Sequence, residues 1–178
     1  GIDNVGALDD AIEGGRADEI VLVSEAMHER HLTQIAGQIA ERESSIVLIA
    51  GPSSSGKTTF SRRLSVQLLA NGISPYPLEL DHYFVRRDQT PLGKDGQPDY
   101  ESIDALDLPL LATHLESLVG GDKVHLPRYN FKSGMREAGD IVQLHKGQVL
   151  ILEGIHGLNP RLIPGPLAGR AFKVYVSA

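Results

Sequence analysis

The chain has no cysteine and no tryptophan, and aromatic residues make up only 5% of it. Without cysteine there can be no disulfide, no structural Cys–zinc site and no thiol chemistry, a pattern that fits a reducing compartment. Long apolar runs are also missing: nothing approaches the ~18 consecutive apolar residues of a membrane span. The opening Gly1-Ile2-Asp3-Asn4 is polar, with no basic region ahead of an apolar one, so no secretory pattern is present. The expectation is a cytoplasmic protein without a membrane partner. Basic residues are in deficit, 17 against 23 acidic, for a net charge of −6. That balance argues against a general nucleic-acid binder. It is no obstacle to phosphate binding, which backbone N–H groups and a single lysine can accomplish.

What remains is an ordinary globular composition, 41% hydrophobic over 178 residues, with room for one α/β core and a short appendage. The chain opens on glycine, which reads as a piece of something longer. From Asp18 to Arg42, Ile20, Val23, Met27, His31, Ile35 and Ile39 recur at helical spacing. The β-rich run Ile20-Val21-Leu22-Val23 leaves a short strand as the alternative. His28 and His31 stand three apart on that helix, and with no third ligand nearby they read as a solvated or packed pair rather than a metal site.

Ser45–Ala50 is a β-branched apolar run ended by Gly51-Pro52 and predicts a buried parallel strand. A helix is expected over Lys57–Ala70, a strand over Tyr76–Leu80, and a long surface loop over His82–Pro98. A helix over Asp104–Val119 follows, then irregular structure with short strands between Val124 and Val142. Val149–Leu152 and Phe172–Val176 are the remaining strands. Strands alternating with helices predict a mostly parallel sheet covered on both faces.

Gly51-Pro52-Ser53-Ser54-Ser55-Gly56-Lys57-Thr58 matches G-x-x-x-x-G-K-[ST] in full, between a predicted strand and a predicted helix. The two glycines allow turns that aim successive N–H groups at phosphate oxygens, and the helix that opens there adds its dipole. Gly51, Ser53, Ser54, Ser55, Gly56, Lys57, Thr58 and Thr59 are therefore the candidate ATP-binding residues. Lys57 is placed to reach the β/γ-phosphates and the Thr58 hydroxyl to ligate Mg²⁺.

Asp81 and Glu153 each end a predicted strand on the same sheet edge, where open α/β sheets bind ligands. One carboxylate can orient a metal's water shell, and another can accept a proton from an attacking hydroxyl. No N-K-x-D guanine signature is present, and Glu153 is followed by Gly154 rather than a second acid. Both facts speak against a GTPase or a helicase-type motor. His82, His125, His145 and His156 lie in or near loops and receive no role.

Several ordered segments together resemble the uridine kinase/phosphoribulokinase family of P-loop kinases, over about Ile46 to Ser177. They are the phosphate loop, Asp81-His82-Tyr83-Phe84, Tyr100 to Asp107, Pro127-Arg128-Tyr129-Asn130-Phe131, and Leu152-Glu153-Gly154-Ile155. The resemblance implies a P-loop NTPase three-layer fold like that of nucleoside monophosphate kinases. Its sheet would be mostly parallel and five-stranded, ordered 2-3-1-4-5. ATP as co-substrate and transfer to an alcohol are also implied. Asp81 would be the general base and Lys57 the charge-neutralising catalytic lysine, with Thr58, Asp81 and Glu153 around Mg²⁺. Tyr83, Phe84, Glu101, Tyr129 and Arg136 would line the pocket of a small hydroxyl-bearing acceptor, nucleoside-like or sugar-like.

Three departures stand out. The family's base-reading histidine position is Gly134 here, the usual D-x-F-Y order is D-H-Y-F, and Glu101 replaces a ribose-binding aspartate. Loss of hydrogen-bonding groups weakens discrimination for a base. Residues 44–178 read as the kinase core, lacking the family's arginine-bearing lid. Residues 1–43 read as a helical extension, the tail of an additional domain. A nucleotide-binding regulatory module without efficient turnover is the alternative, and a homo-oligomer stays open.

Overall fold

In the computed structural model, which describes residues 4–177, two helices precede the sheet. The opening residues 1–3, read above as lacking a secretory pattern, lie outside the described part. Helix α1 (Val5–Glu13) is capped by Asn4, whose Oδ1 accepts from the Ala7 amide at 2.8 Å. Helix α2 (Ala17–Glu41) settles the helix-or-strand alternative in favour of the helix. Its stripe is buried only in the second half, at Leu32, Ile35, Ala36 and Ile39, while Val21, Leu22, Val23 and Met27 are exposed. The reason is length: 25 helical residues run about 37 Å, roughly twice a five- or six-residue strand. The front of α2 therefore overhangs the sheet. His28 packs edge-on to Phe60, and no group of three or more acidic or histidine side chains among the described residues could hold a metal.

Strand β1 (Ile46–Ala50) is buried along its whole length and runs into the phosphate loop. Helix α3 (Lys57–Ala70) follows, as its pattern predicts, and β2 (Ser74–Glu79) leads into a 3-10 turn at Leu80–Tyr83. Helix α4 (Leu108–Gly120) starts later than expected. Asp107 is its N-cap, Oδ1 accepting from the Leu110 amide at 3.1 Å, and Asp104 belongs to a separate 3-10 turn. Where irregular structure with short strands was expected, β3 (Lys123–Asn130) and β4 (Met135–Gln143) form an antiparallel hairpin. Its pattern is faint because the hairpin stands off the main sheet with few buried positions, and Pro127 sits at a register shift where its missing N–H costs little. Strand β5 (Gln148–Gly154), a short helix α5 (Gly165–Ala168) and β6 (Ala171–Tyr175) complete the chain.

The main sheet is parallel in the order β2-β5-β1-β6. Counting parallel strands along the chain, this is 2-3-1-4, the first four positions of the implied five-strand order, among the described residues. Successive residues alternate faces. Ile46, Leu48, Leu150 and Leu152 pack under Leu111, Leu115 and Leu118 of α4. Val47, Ile49, Val149 and Ile151 pack under Leu64 and Leu68 of α3 and the buried half of α2. An α/β sandwich of three layers results, with all parallel strands opening at one edge. No helix among the described residues is long and apolar enough to cross a membrane.

Candidate active site

Register brings the carboxyl ends together: Glu79 of β2 pairs with Glu153 of β5, and Ala50 of β1 pairs with both Gly154 and Tyr175. The phosphate loop leaves the sheet at that edge. Gly51 has no room for a side chain, since a Cβ there would lie 2.2 Å from the Val176 carbonyl oxygen and 2.8 Å from Ser55 Oγ. Ser54 (φ 63°) and Gly56 (φ 82°) are left-handed, which reverses the chain and starts α3 on Gly56. Ser53, Ser54, Thr58 and Thr59 are exposed. Ser55 is buried, and its Oγ has no hydrogen-bond partner. Lys57 folds back so that Nζ donates to the Pro52 carbonyl at 2.6 Å.

Thr58 Oγ1 donates to Glu153 Oε1 at 2.8 Å, and the second carboxylate oxygen of Glu153 is buried without a partner. A hydroxyl paired with a carboxylate that keeps a vacant acceptor is the oxygen-donor set a hard cation such as Mg²⁺ takes, with phosphate and water filling the rest. Asp81 opens onto the same place from the 3-10 turn after β2. A cavity of about 430 Å³ is lined by Thr58, Arg62, Glu79, Asp81 and Glu153. The Asp81 carboxyl is pushed above its ordinary value, first by desolvation and then by the charges of Glu79 and Glu153, with His82 opposing.

The expected acceptor residues divide. Phe84 and Tyr129 stand at the centre of a ring cluster: Phe84 packs edge-on against Tyr100, Tyr129 and Phe131 at 5.1, 5.5 and 6.3 Å. The Tyr129 hydroxyl, pushed up to about 12 by burial and by Tyr100, lies 3.4 Å from the Tyr100 hydroxyl. The Tyr129 amide approaches His82 Nδ1 at 3.4 Å, which ties the cluster to the residue after Asp81. Tyr83, by contrast, is fully buried, and its hydroxyl pairs with His114 Nδ1 at 3.1 Å inside the core rather than on an open wall. Arg136 is held by an ion pair with Asp107 at 2.8 Å, which joins the hairpin to the cap of α4. Glu101 is exposed on a turn organised by Asp99 Oδ1, which accepts its amide at 2.9 Å.

Sequence reasoning passed over Arg87. Its Nε donates to the Tyr100 hydroxyl at 3.3 Å and its terminal amine to the Phe131 carbonyl, 44 residues away. No local motif marks it, because hairpin and loop meet only in the folded chain.

The chain is 34% identical over 113 residues to a uridine kinase of Deinococcus deserti, covering 64% of this chain and 53% of the relative. It is 30% identical over 115 residues to a uridine kinase of Halobacterium salinarum, covering 65% and 49%. The chain thus spans about half the length of the curated relatives it matches. Among solved structures, a possible uridine kinase from Bacillus stearothermophilus superposes with a TM-score of 0.57 at 23% identity, over 74% of this chain and 70% of that one, a likeness of fold. The model of the phosphoribulokinase/uridine kinase family matches residues 46–177, and the chain belongs to that family.

Proposed function

We propose that this chain carries the catalytic core of a kinase that moves the γ-phosphoryl of Mg-ATP to a hydroxyl of a small nucleoside-like or sugar-like acceptor. The observation that carries the reading is the convergence of the phosphate loop, Glu153 and Asp81 on one cavity at the carboxyl edge of the sheet. Backbone N–H groups of 53–58 and the start of α3 hold the phosphates. Lys57 exchanges its contact with the Pro52 carbonyl for the β/γ-phosphates and neutralises charge as the bond to the leaving oxygen lengthens. Thr58, Asp81 and Glu153 are the residues to hold Mg²⁺, which when bound screens the phosphate oxygens.

Asp81 accepts the acceptor's hydroxyl proton as that oxygen attacks in line. Its raised pKa improves it as a base, because a carboxylate's proton affinity rises with its pKa. The ring cluster of Phe84, Tyr100, Tyr129 and Phe131 offers an apolar wall beside the turn that carries Asp81.

The test is ADP release by the full chain with Mg-ATP and a panel of nucleosides and sugars. Release stimulated by one acceptor and reduced about 10²- to 10⁴-fold by Asp81→Asn is expected. A second reading, a nucleotide-binding module without efficient turnover, is favoured by the changed pocket at Gly134. It takes over if Mg-ATP binds and no acceptor raises turnover above that of Asp81→Asn.

A further inference from the structure

Strand order gathers charge at a second place, the amino edge of the main sheet. The five residues of β1, about 17 Å long, separate that edge from the phosphate loop. Because β1 lies between β5 and β6, the segment entering β1 is flanked by the segments entering its two neighbours. Ser45 marks the join: its amide donates to the Arg170 carbonyl at 3.0 Å, and its carbonyl accepts from the Leu150 amide at 2.9 Å. Arg170, just ahead of β6, therefore stands on one side of the start of β1, and Lys146, just ahead of β5, on the other. Two strand spacings, about 10 Å, lie between β5 and β6. Side chains as long as lysine and arginine can close on one group across that gap.

A cavity of about 610 Å³ opens at this edge, larger than the one beside Asp81. Ile39, Leu118 and Leu144 contribute apolar wall to it, while Ser44, Ser45, Lys146 and Arg170 contribute hydrogen-bond donors. Those donors have no partner in the protein. Among the described residues the Lys146 ammonium and the Arg170 guanidinium enter no ion pair or hydrogen bond, and the half-buried Ser44 and Ser45 hydroxyls are equally unbonded.

The carbonyls that would draw a cation are better satisfied. The Arg42, Glu43 and Ser44 amides close the end of α2 on Gln38, Ala40 and Ile39, and the Gly121 and Asp122 amides close α4 on Leu118 and Ser117. Gln143 Nε2 donates to the Gly121 carbonyl at 2.8 Å. Glu43 is the one acid among the lining residues; it is exposed and pairs with neither cation. The unmet capacity of the cavity is thus that of donors and positive charge.

We propose that this cavity is a second ligand site for a small anion carrying an apolar body. A phosphate or carboxylate head takes Lys146, Arg170 and the two serine hydroxyls, and the body lies on Ile39, Leu118 and Leu144. The guanidinium offers paired N–H donors that fit two such oxygens, and the ammonium a mobile charge beside them. An apolar wall with a few converging polar groups, at this volume, is the general make of a small-molecule site. No lining residue is shared with the cavity beside Asp81, so the site stands apart from the phosphoryl-transfer reading.

The experiment is a titration of the full chain followed by amide NMR, with the phosphate loop first saturated by a non-hydrolysable Mg-ATP analogue. Phenyl phosphate and benzoate are the anionic probes, and benzyl alcohol and benzylamine are their neutral and cationic counterparts. At least one anion should bind saturably and about ten-fold or more tightly than benzyl alcohol, shifting the amides of Ser45, Gly147 and Arg170. The two anionic arms tell phosphate from carboxylate. A double variant, Lys146→Gln with Arg170→Gln, should lose that preference while its melting transition and its affinity for the ATP analogue stay unchanged. The absence of a saturable shift at the amino edge with either anion overturns the proposal. So does binding of benzylamine or benzyl alcohol as tight as that of the anions, or an anion preference that survives the double variant.

Discussion

Thr58 and Glu153, 95 residues apart in the chain, share a 2.8 Å hydrogen bond across the mouth of the sheet. The bond exists because β1 and β5 are adjacent parallel strands in register, so the first turn of α3 faces the end of β5. One buried oxygen of Glu153 is left over, which makes the pair a poor terminus for a hydrogen-bond network and a good beginning for a cation site. Glu153→Gln should therefore weaken Mg-ATP binding by about ten-fold while changing metal-free ATP binding much less. Titrations with Mg²⁺ and with EDTA compare the two, and an equal loss in both would remove Glu153 from the metal site.

Lys57 rests on the Pro52 carbonyl, a contact that holds the ammonium inside the loop it is to serve. Lys57→Ala should lower nucleotide affinity about ten- to hundred-fold, the value of charge-assisted hydrogen bonds to phosphate. Equilibrium binding of a fluorescent ATP analogue measures it. Unchanged affinity would contradict the loop's role.

The Asp81 carboxyl must be ionised to take a proton, and its surroundings raise its pKa above the usual 3.8. Activity should accordingly fall as pH falls through that raised value, placing the acid limb of the kcat/KM profile for Mg-ATP, which reports the free enzyme before the metal arrives, above the ordinary aspartate range. The sign follows from the causes: desolvation and the charges of Glu79 and Glu153 all penalise the anion. The Glu79→Gln variant removes one of those charges and should move the limb to lower pH. A limb that stays in place would show that Asp81 is not the titrating group.

Leu32 lies in α2 yet is fully buried among Leu64, Leu68 and Val47. Leu32→Ala should destabilise the nucleotide-binding core by about 2–5 kcal/mol. Urea unfolding monitored by nucleotide protection would read this. A loss confined to α2 helicity, with the core midpoint unchanged, would make α2 an independent appendage. The same α2 reaches α3 through Glu29, which accepts from Arg63 Nε at 2.6 Å and from Gln67 at 2.9 Å. Those side chains are only half-buried and reach solvent, so the apolar residues are the stronger test.

Gly134→Ala should destabilise the fold by about 1–3 kcal/mol, combining the left-handed backbone with the collision against Arg87. Thermal melts of the single variant and of Gly134→Ala with Arg87→Gly separate the two causes. Full additivity would mean that the two residues do not touch.

Local signals carried the elements whose pattern is local. The run Ile46–Ala50, the glycine-bounded loop and the helix Lys57–Ala70 are legible because each needs only its own residues and the buried-strand period. The hairpin Lys123–Gln143 was not, since its strands are mostly exposed and stabilised by pairing with each other. Pairing is a relation between segments that periodicity within one segment does not record. The same limit explains why half of the α2 stripe is exposed: amphipathic spacing states which face is apolar, and only the length of the sheet decides how much of it is covered.

By itself the sequence determined the phosphate loop, the strand-ending carboxylates and the family to which they point, because those features are runs of neighbouring residues with a fixed stereochemical purpose. Tertiary structure alone decided where the candidate acceptor residues went. Tyr83 went to the core with His114, Arg136 to the cap of α4, and Arg87 to the space above Gly134. Each of those outcomes depends on two segments far apart in the chain meeting at a particular register. Chain connectivity constrains such meetings weakly, and the packing of rings, charges and backbone at the meeting point selects among them.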